Sequence, residues 1–175
     1  MPSNTSVKQG LKLIEDDKSK VLGLTVGNRS ISTGEFVPKA DAQSAPEVSF
    51  GVPSQSATYL VVGLDLDAPL PSFGVLGPIL HWIQPGFKAS PSSNTLASSE
   101  PFVANYIGPA PPPFSGPHRY AFFLYEQPEG FSGKKYAPPN GKPLGNMNRM
   151  RYDLDAWVKK AGLGEPLAVN YFKSN

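Results

Sequence analysis

Between Tyr59 and Leu64 the chain carries an almost unbroken run of β-forming residues, Tyr59-Leu60-Val61-Val62-Gly63-Leu64, bounded by polar and turn residues. Such a run predicts a strand buried on both faces. It ends in Asp65-Leu66-Asp67-Ala68-Pro69, where the proline has no N–H for a ladder and pushes the preceding residue out of the helical region, so the chain must turn. Leu70 to Pro78 is rich in Pro and Gly and reads as an ordered loop, after which Ile79-Leu80-His81-Trp82 returns to strand character. Arg119 to Tyr125, RYAFFLY, is a second strongly apolar strand, and its aromatic series Tyr120, Phe122, Phe123, Tyr125 reads as core. Phe102 to Ile107 and Leu167 to Phe172 also have strand spacing, the latter expected at a sheet edge. Shorter β-type segments are expected over Val21 to Val26, Ile31 to Val37 and Val48 to Phe50.

Helical spacing is confined to the two ends. Ser6-Val7-Lys8-Gln9 has the form of a capping box, and Val7, Leu11 and Ile14 share one face, which predicts a short helix from Ser6 to Asp16 interrupted in propensity by Gly10. Near the other end, Asp153 precedes a segment in which Leu154, Trp157, Val158 and Ala161 share a face. Lys159 and Lys160 suit the last turn of that helix, and Gly162 suits its end. Pro85 to Pro101 is dominated by Ser, Pro, Gly and Asn and predicts a long surface loop, and Lys134 to Gly145 predicts a Gly/Pro/Lys-rich connection. Several strands with no βαβ rhythm imply a mainly β, antiparallel fold.

Composition narrows the chemistry. The 175 residues suffice for one domain with a real core, and 20 Pro with 17 Gly point to turns and fixed loops. The absence of cysteine removes disulfide frameworks and thiolate metal or redox sites. A net charge of +2 is too small to argue for nucleic acid, and the uneven split reads as a solvated face. That split is seven basic and nine acidic groups over 1–117 against nine and five over 118–175. The N-terminal residues lack a signal-peptide layout and no apolar run reaches the ~20 residues of a membrane span, so a cytoplasmic protein is expected.

Both histidines sit beside the apolar strands. His81 follows the Asp65/Asp67 loop, and His118 ends a segment, Gly108 to Pro117, whose five prolines hold a loop without secondary structure. If the loops meet, two imidazoles, the Tyr120 hydroxyl and backbone amides converge on a proline-walled hole suited to a phosphate or carboxylate, with Asp65 holding a histidine tautomer or meeting a ligand ammonium. A two-histidine, one-carboxylate metal site of His81, His118 and Asp65 is chemically available, but no compact metal motif supports it. Ser115 near His118 lacks a Gly-x-Ser-x-Gly elbow, and no Gly-x-x-x-x-Gly-Lys phosphate loop is present.

Asp65-Leu66-Asp67-Ala68-Pro69 with His81-Trp82, and Tyr106-Ile107-Gly108-Pro109-Ala110-Pro111-Pro112 with Gly116-Pro117-His118-Arg119-Tyr120, resemble the two signature blocks of the phosphatidylethanolamine-binding protein family. That family includes the Raf kinase inhibitor protein, plant flowering regulators and a yeast-type carboxypeptidase Y inhibitor. The likeness covers mainly 59–126, with support from Leu163-Gly164-Glu165-Pro166 and Asn170-Tyr171-Phe172. It implies a single domain over 1–175 with a large antiparallel sheet packed on a smaller one, a C-terminal helix and a shallow anion pocket. It also implies a cis Ala68–Pro69 bond and ligand-binding residues Asp65, Asp67, Pro69, His81, Ala110, Pro111, Pro112, His118 and Tyr120. The family's proline between the two acids is Leu66 here, and Ile79 and Ala110 also depart from its pattern, reshaping the pocket mouth. The activity so implied is non-enzymatic binding of a phosphate-bearing ligand, a phospholipid headgroup or a phosphorylated side chain. Such a module inhibits or scaffolds a partner such as a kinase or serine carboxypeptidase, without cofactor, as a monomer and with peripheral membrane contact. The competing expectations are direct carboxypeptidase inhibition by the N-terminal segment and a weak hydrolase.

Overall fold

The computed structural model describes residues 4–70 and 77–175. The loop expected over Leu70 to Pro78 falls, across 71–76, outside the described residues.

The fold is mainly β. Strands β1 (Gly23–Val26), β2 (Arg29–Ser30), β3 (Glu47–Ser49), β4 (Tyr59–Asp65), β5 (Ile79–Ala89), β6 (Thr95–Ala97), β7 (His118–Glu126) and β8 (Ala168–Ser174) form one antiparallel order, β2-β1-β3-β6-β5-β4-β7-β8. Helices α1 (Thr5–Asp16) and α2 (Leu154–Ala161) complete it. The expected large sheet on a smaller one takes the form here of one continuous sheet that curls. The eleven-residue β5 joins the two halves, pairing with β4 over Ile79 to Phe87 and with β6 through Lys88 and Ala89.

Strands β4 and β7 are buried throughout except Arg119 and Glu126, and alternation explains their apolar runs. Tyr59 and Val61 of β4, with Tyr120, Phe122 and Leu124 of β7, meet Leu24, Val48 and Leu96 from the curled half. Leu60, Val62 and Leu64, with Ala121, Phe123 and Tyr125, face the helices through Val7, Ile14, Leu154, Trp157 and Ala161. With a helix or strand layer on each side, both faces of these two central strands must be apolar.

Helix α2 forms as the sequence predicts: the Asp153 carboxylate accepts from the Ala156 N–H at 2.9 Å, and Gly162 ends it in a left-handed conformation. Helix α1 starts one residue earlier than expected, and no side chain of its own caps it. Its first N–H groups, of Thr5 and Ser6, donate instead to the Asp155 carboxylate of α2 at 2.8 and 2.7 Å, so a tertiary contact replaces the local capping box. Gly10, unfavourable on propensity, is where α1 crosses β7: a Cβ there would lie 2.7 Å from the Phe123 ring.

Three loop and strand expectations are corrected. Pro85 to Pro101 is not one long loop, because β5 runs through Pro85 to Ala89 and β6 follows. The break is absorbed by a register shift opposite Tyr59/Val61 and by Gly86 donating to the Gln127 side chain. Phe102 to Ile107 makes only a single bridge, Ala104 to Ile83, because the loop beyond it peels off toward His81. Ile31 to Val37 is a turn clasped to β8 by N–H bonds from Gly34 and Val37 to the Tyr171 and Lys173 carbonyls, with one bridge at Phe36. Among the described residues no helix is long and apolar enough to cross a membrane.

Candidate functional site

Register places the site. Asp65, the last residue of β4, stands opposite Ile79 on β5 and Tyr120 on β7. Side chains two apart share a face, so His81 follows Ile79 and His118 precedes Tyr120 on the same side. One end of three adjacent strands thus brings together an acid, two imidazoles and a phenol that are far apart in the chain, Asp65 and His118 being separated by 53 positions.

Both imidazoles are held at Nδ1. The Nδ1–H of His118 donates to Asp65 Oδ2 at 2.8 Å, and the second oxygen of Asp65 accepts the Asp67 N–H at 2.9 Å. His81 donates from Nδ1 to the Ile107 carbonyl at 2.7 Å, while the Ile107 N–H returns to the His81 carbonyl at 3.0 Å. This two-way clasp ties the Pro-rich segment to β5. The Tyr120 ring lies edge-on to His81 at 5.0 Å and stacks toward His118 at 6.5 Å.

A pocket of about 310 Å³ opens over this end of the sheet. Asp65, Pro69, His81, Ala110, Pro111, Pro112 and His118, all singled out from sequence, line it, as does Ile79. Tyr120 lies behind the histidines, and its buried hydroxyl makes no hydrogen bond of sound geometry among the described residues, although the Asp65 carboxylate and the Ala110 N–H lie near enough to act on it. Asp67 turns away: its carboxylate grips Arg119 through the backbone N–H and both arms of the guanidinium at 2.7–2.9 Å. Burial alone would raise the Asp67 carboxyl, but the bonds from Arg119 hold it below the ordinary aspartate range. Asp67 and Arg119 therefore fix the turn that follows Asp65. The Ala68–Pro69 bond is cis, as expected.

Sequence reasoning missed Arg149, Asn146 and Met150, which close the pocket from the segment before α2. Arg149 is 1% exposed. It donates to the Leu80, Asn105 and Leu144 carbonyls and to the Asn105 side chain at 2.6–3.2 Å, and meets no carboxylate among the described residues. Burial lowers its proton affinity, yet a guanidinium stays charged at ordinary pH, so the pocket floor carries a fixed cation. A lone Arg in a polar stretch gives no periodic signal. Burial also pushes the His81 imidazole below the ordinary histidine value, against the upward pull of the Ile107 carbonyl and Asp65, with Arg149 and His118 adding to the depression. The Tyr120 phenol is driven well up by burial first and then by Asp65.

The Ser115 hydroxyl donates to the Gly116 carbonyl at 3.1 Å and not to His118, whose Nε2 is buried without a partner among the described residues. Among the described residues no group of three or more His, Asp or Glu side chains is placed to hold a metal ion.

The family model described as phosphatidylethanolamine-binding protein matches residues 27–172. The chain belongs to this family. Among curated proteins it is similar to phomoidride biosynthesis cluster protein N of Talaromyces stipitatus, 32% identical over 82% of this chain and 77% of that one. It is also similar to the carboxypeptidase Y inhibitor of Saccharomyces cerevisiae, 28% identical over 74% of this chain and 65% of that one. A solved structure of carboxypeptidase Y inhibitor complexed with the cognate proteinase superposes with a TM-score of 0.74 at 25% identity, covering 97% of this chain and 94% of that one. A phosphatidylethanolamine-binding protein from Plasmodium vivax shares the fold, with a TM-score of 0.65 at 15% identity over 99% and 98% of the two chains.

Proposed function

We propose that this phosphatidylethanolamine-binding-family protein is a non-enzymatic module that binds a phosphate-bearing group, of a lipid headgroup or a phosphorylated side chain, and through that surface inhibits or scaffolds a partner protein. In this reading residues 1–175 act as one cytoplasmic, monomeric unit with no nucleic-acid partner and with peripheral contact to membranes. The observation that carries it is the pocket itself: a small proline-walled hole whose polar floor holds a buried, carboxylate-free guanidinium beside two oriented imidazoles. Asp67, placed on Arg119, serves such a site by positioning it.

The test is a phosphorus NMR or calorimetric titration with inorganic phosphate. Because His81 resists its second proton in the folded protein, stability held above about pH 6.5 is lost as pH falls below it, and an anion accepting from His81 Nε2–H reverses that loss. Saturable binding at one site is expected, tighter toward about pH 5.5 than about pH 8 and lost in His81→Ala. Affinity indifferent to both pH and His81→Ala would place the anion elsewhere.

The second reading is direct inhibition of a serine carboxypeptidase, favoured by the likeness to carboxypeptidase Y inhibitor seen with its proteinase. Helix α1 buries Val7 and Ile14 in the core, so removing residues up to Asp17 would damage the fold itself. Removing only residues 1–4 separates the readings. Loss of protease inhibition with phosphate binding kept supports the N-terminal route, and inhibition kept after the truncation rejects it.

A further inference from the structure

We propose that the pocket selects oxyanions that carry their own hydrogen-bond donor, so that it takes a protonated phosphate and discriminates against sulfate. This rests on the anion-binding reading above and narrows it to phosphate groups that bring such a donor, the P–OH of a monoester below about pH 6 or the ammonium of a zwitterionic headgroup, since a bare phosphodiester has neither.

The geometry fills the floor of the pocket with fixed acceptors, its amide donors being those of Gly108, Ala110 and Asn146 on the wall. A carbonyl and a carboxylate can only accept, so the 2.7 Å contact of His81 with Ile107 and the 2.8 Å contact of His118 with Asp65 put the hydrogen of each neutral imidazole on Nδ1. Each ring then has a lone pair at Nε2 to offer, and that of His118 is buried with no partner among the described residues. Asp65 adds a carboxylate, and three lining residues, Pro69, Pro111 and Pro112, have no N–H at all. The four hydrogen bonds of Arg149 to carbonyl oxygens spend all but one of its N–H groups.

An oxyanion without a proton therefore brings oxygen lone pairs against nitrogen lone pairs. A P–OH turns one of those repulsions into a hydrogen bond, at no cost in charge on the protein. Hydrogenphosphate keeps such a hydroxyl near neutral pH, and sulfate keeps none. Sulfate is accepted only after an imidazole takes a second proton and becomes a donor on both nitrogens. That proton is governed by the groups facing each ring. His81 is faced by Asp65 at the end of β4, by Arg149 from the segment before α2, and by His118 and Tyr120 on β7. His118 is faced by Asp65 and Asp67, by His81 on β5 and by its neighbour Tyr120.

Calorimetric titration of the full chain with sodium phosphate and with sodium sulfate, at equal ionic strength and at about pH 8 and about pH 5.5, tests this. Phosphate is expected to bind about ten- to a hundredfold tighter than sulfate at the higher pH, the range of one charge-assisted hydrogen bond, with the gap closing at the lower pH. Methyl phosphate, whose hydroxyl is lost above its second pKa of about 6, is expected to match phosphate at the lower pH and to weaken toward sulfate at the higher. Sulfate or unprotonated methyl phosphate binding as tightly as phosphate near pH 8 overturns the selection while leaving the anion site intact. Failure of every ion to bind at either pH overturns the anion site itself, and the selection with it.

Discussion

Replacing Arg149 by alanine is expected to lower the stability of the fold by about 3–5 kcal/mol, among the largest effects available to a single substitution here. The guanidinium is fully buried and bridges three separate segments, taking the Leu80 carbonyl of β5, the Asn105 carbonyl and side chain of the pocket loop, and the Leu144 carbonyl of the preceding connection. Its removal takes a donor from four acceptors at once, of which the Asn105 side chain still accepts the Leu144 N–H at 2.9 Å, and opens the pocket floor. The Leu80 N–H also bonds the Arg149 carbonyl at 2.8 Å, so the same residue holds β5 from both its main chain and its side chain. Arg149→Lys keeps the charge without the planar fork and should recover only part of the loss. Urea unfolding with an unchanged m-value measures it. A midpoint within error of wild type would show that the carbonyls find other partners and that Arg149 does not join the segments.

Asp65→Ala is expected to cost about 2–4 kcal/mol, through a different route. The carboxylate is 4% exposed and satisfies two buried donors, the Asp67 N–H and the His118 Nδ1–H. Without it both donors are orphaned, and His118 is free to carry its hydrogen on either nitrogen. Asp65→Asn keeps an oxygen for one of those donors and removes the negative charge from the pocket. It should lose less stability than the alanine variant and bind bare phosphate tighter than wild type, because the repulsion between carboxylate and anion is gone. Thermal unfolding of both variants, with phosphate titrations of the asparagine form, decides it. Equal stability of Asp65→Ala and wild type would remove Asp65 from the role of holding His118, and weaker phosphate binding in Asp65→Asn would show that its charge helps the anion instead of opposing it.

Much of the site was legible before any coordinates, for a physical reason. Asp65 and His118 stand at the ends of β4 and β7, and residues at the ends of buried strands are the ones whose polar side chains escape the core. An apolar run, a turn forced by Pro69 and a proline-filled loop mark those ends in the one-dimensional pattern. Arg149 had no such mark. Its burial depends on carbonyls contributed from β5, the pocket loop and the connection before α2, which no local window contains. Asp67 illustrates the converse: the family resemblance implied it as a ligand-binding residue, whereas Arg119 holds its carboxylate away from the pocket lining.

Local sequence thus determined the elements whose stability is local or doubly buried: β4 and β7 from continuous apolar runs, and α2 from its own Asp153 cap and Gly162 stop. Tertiary structure decided the rest. The start of α1 is set by Asp155 from α2, the extension of β5 past Pro85 by the strands on either side, and the failure of Phe102 to Ile107 to pair by its diversion to His81. The hydrogen position on each imidazole was likewise fixed by Ile107 and Asp65. In each case the deciding hydrogen-bond partner lies far away in the chain, and a pattern that records only neighbours holds no information about it.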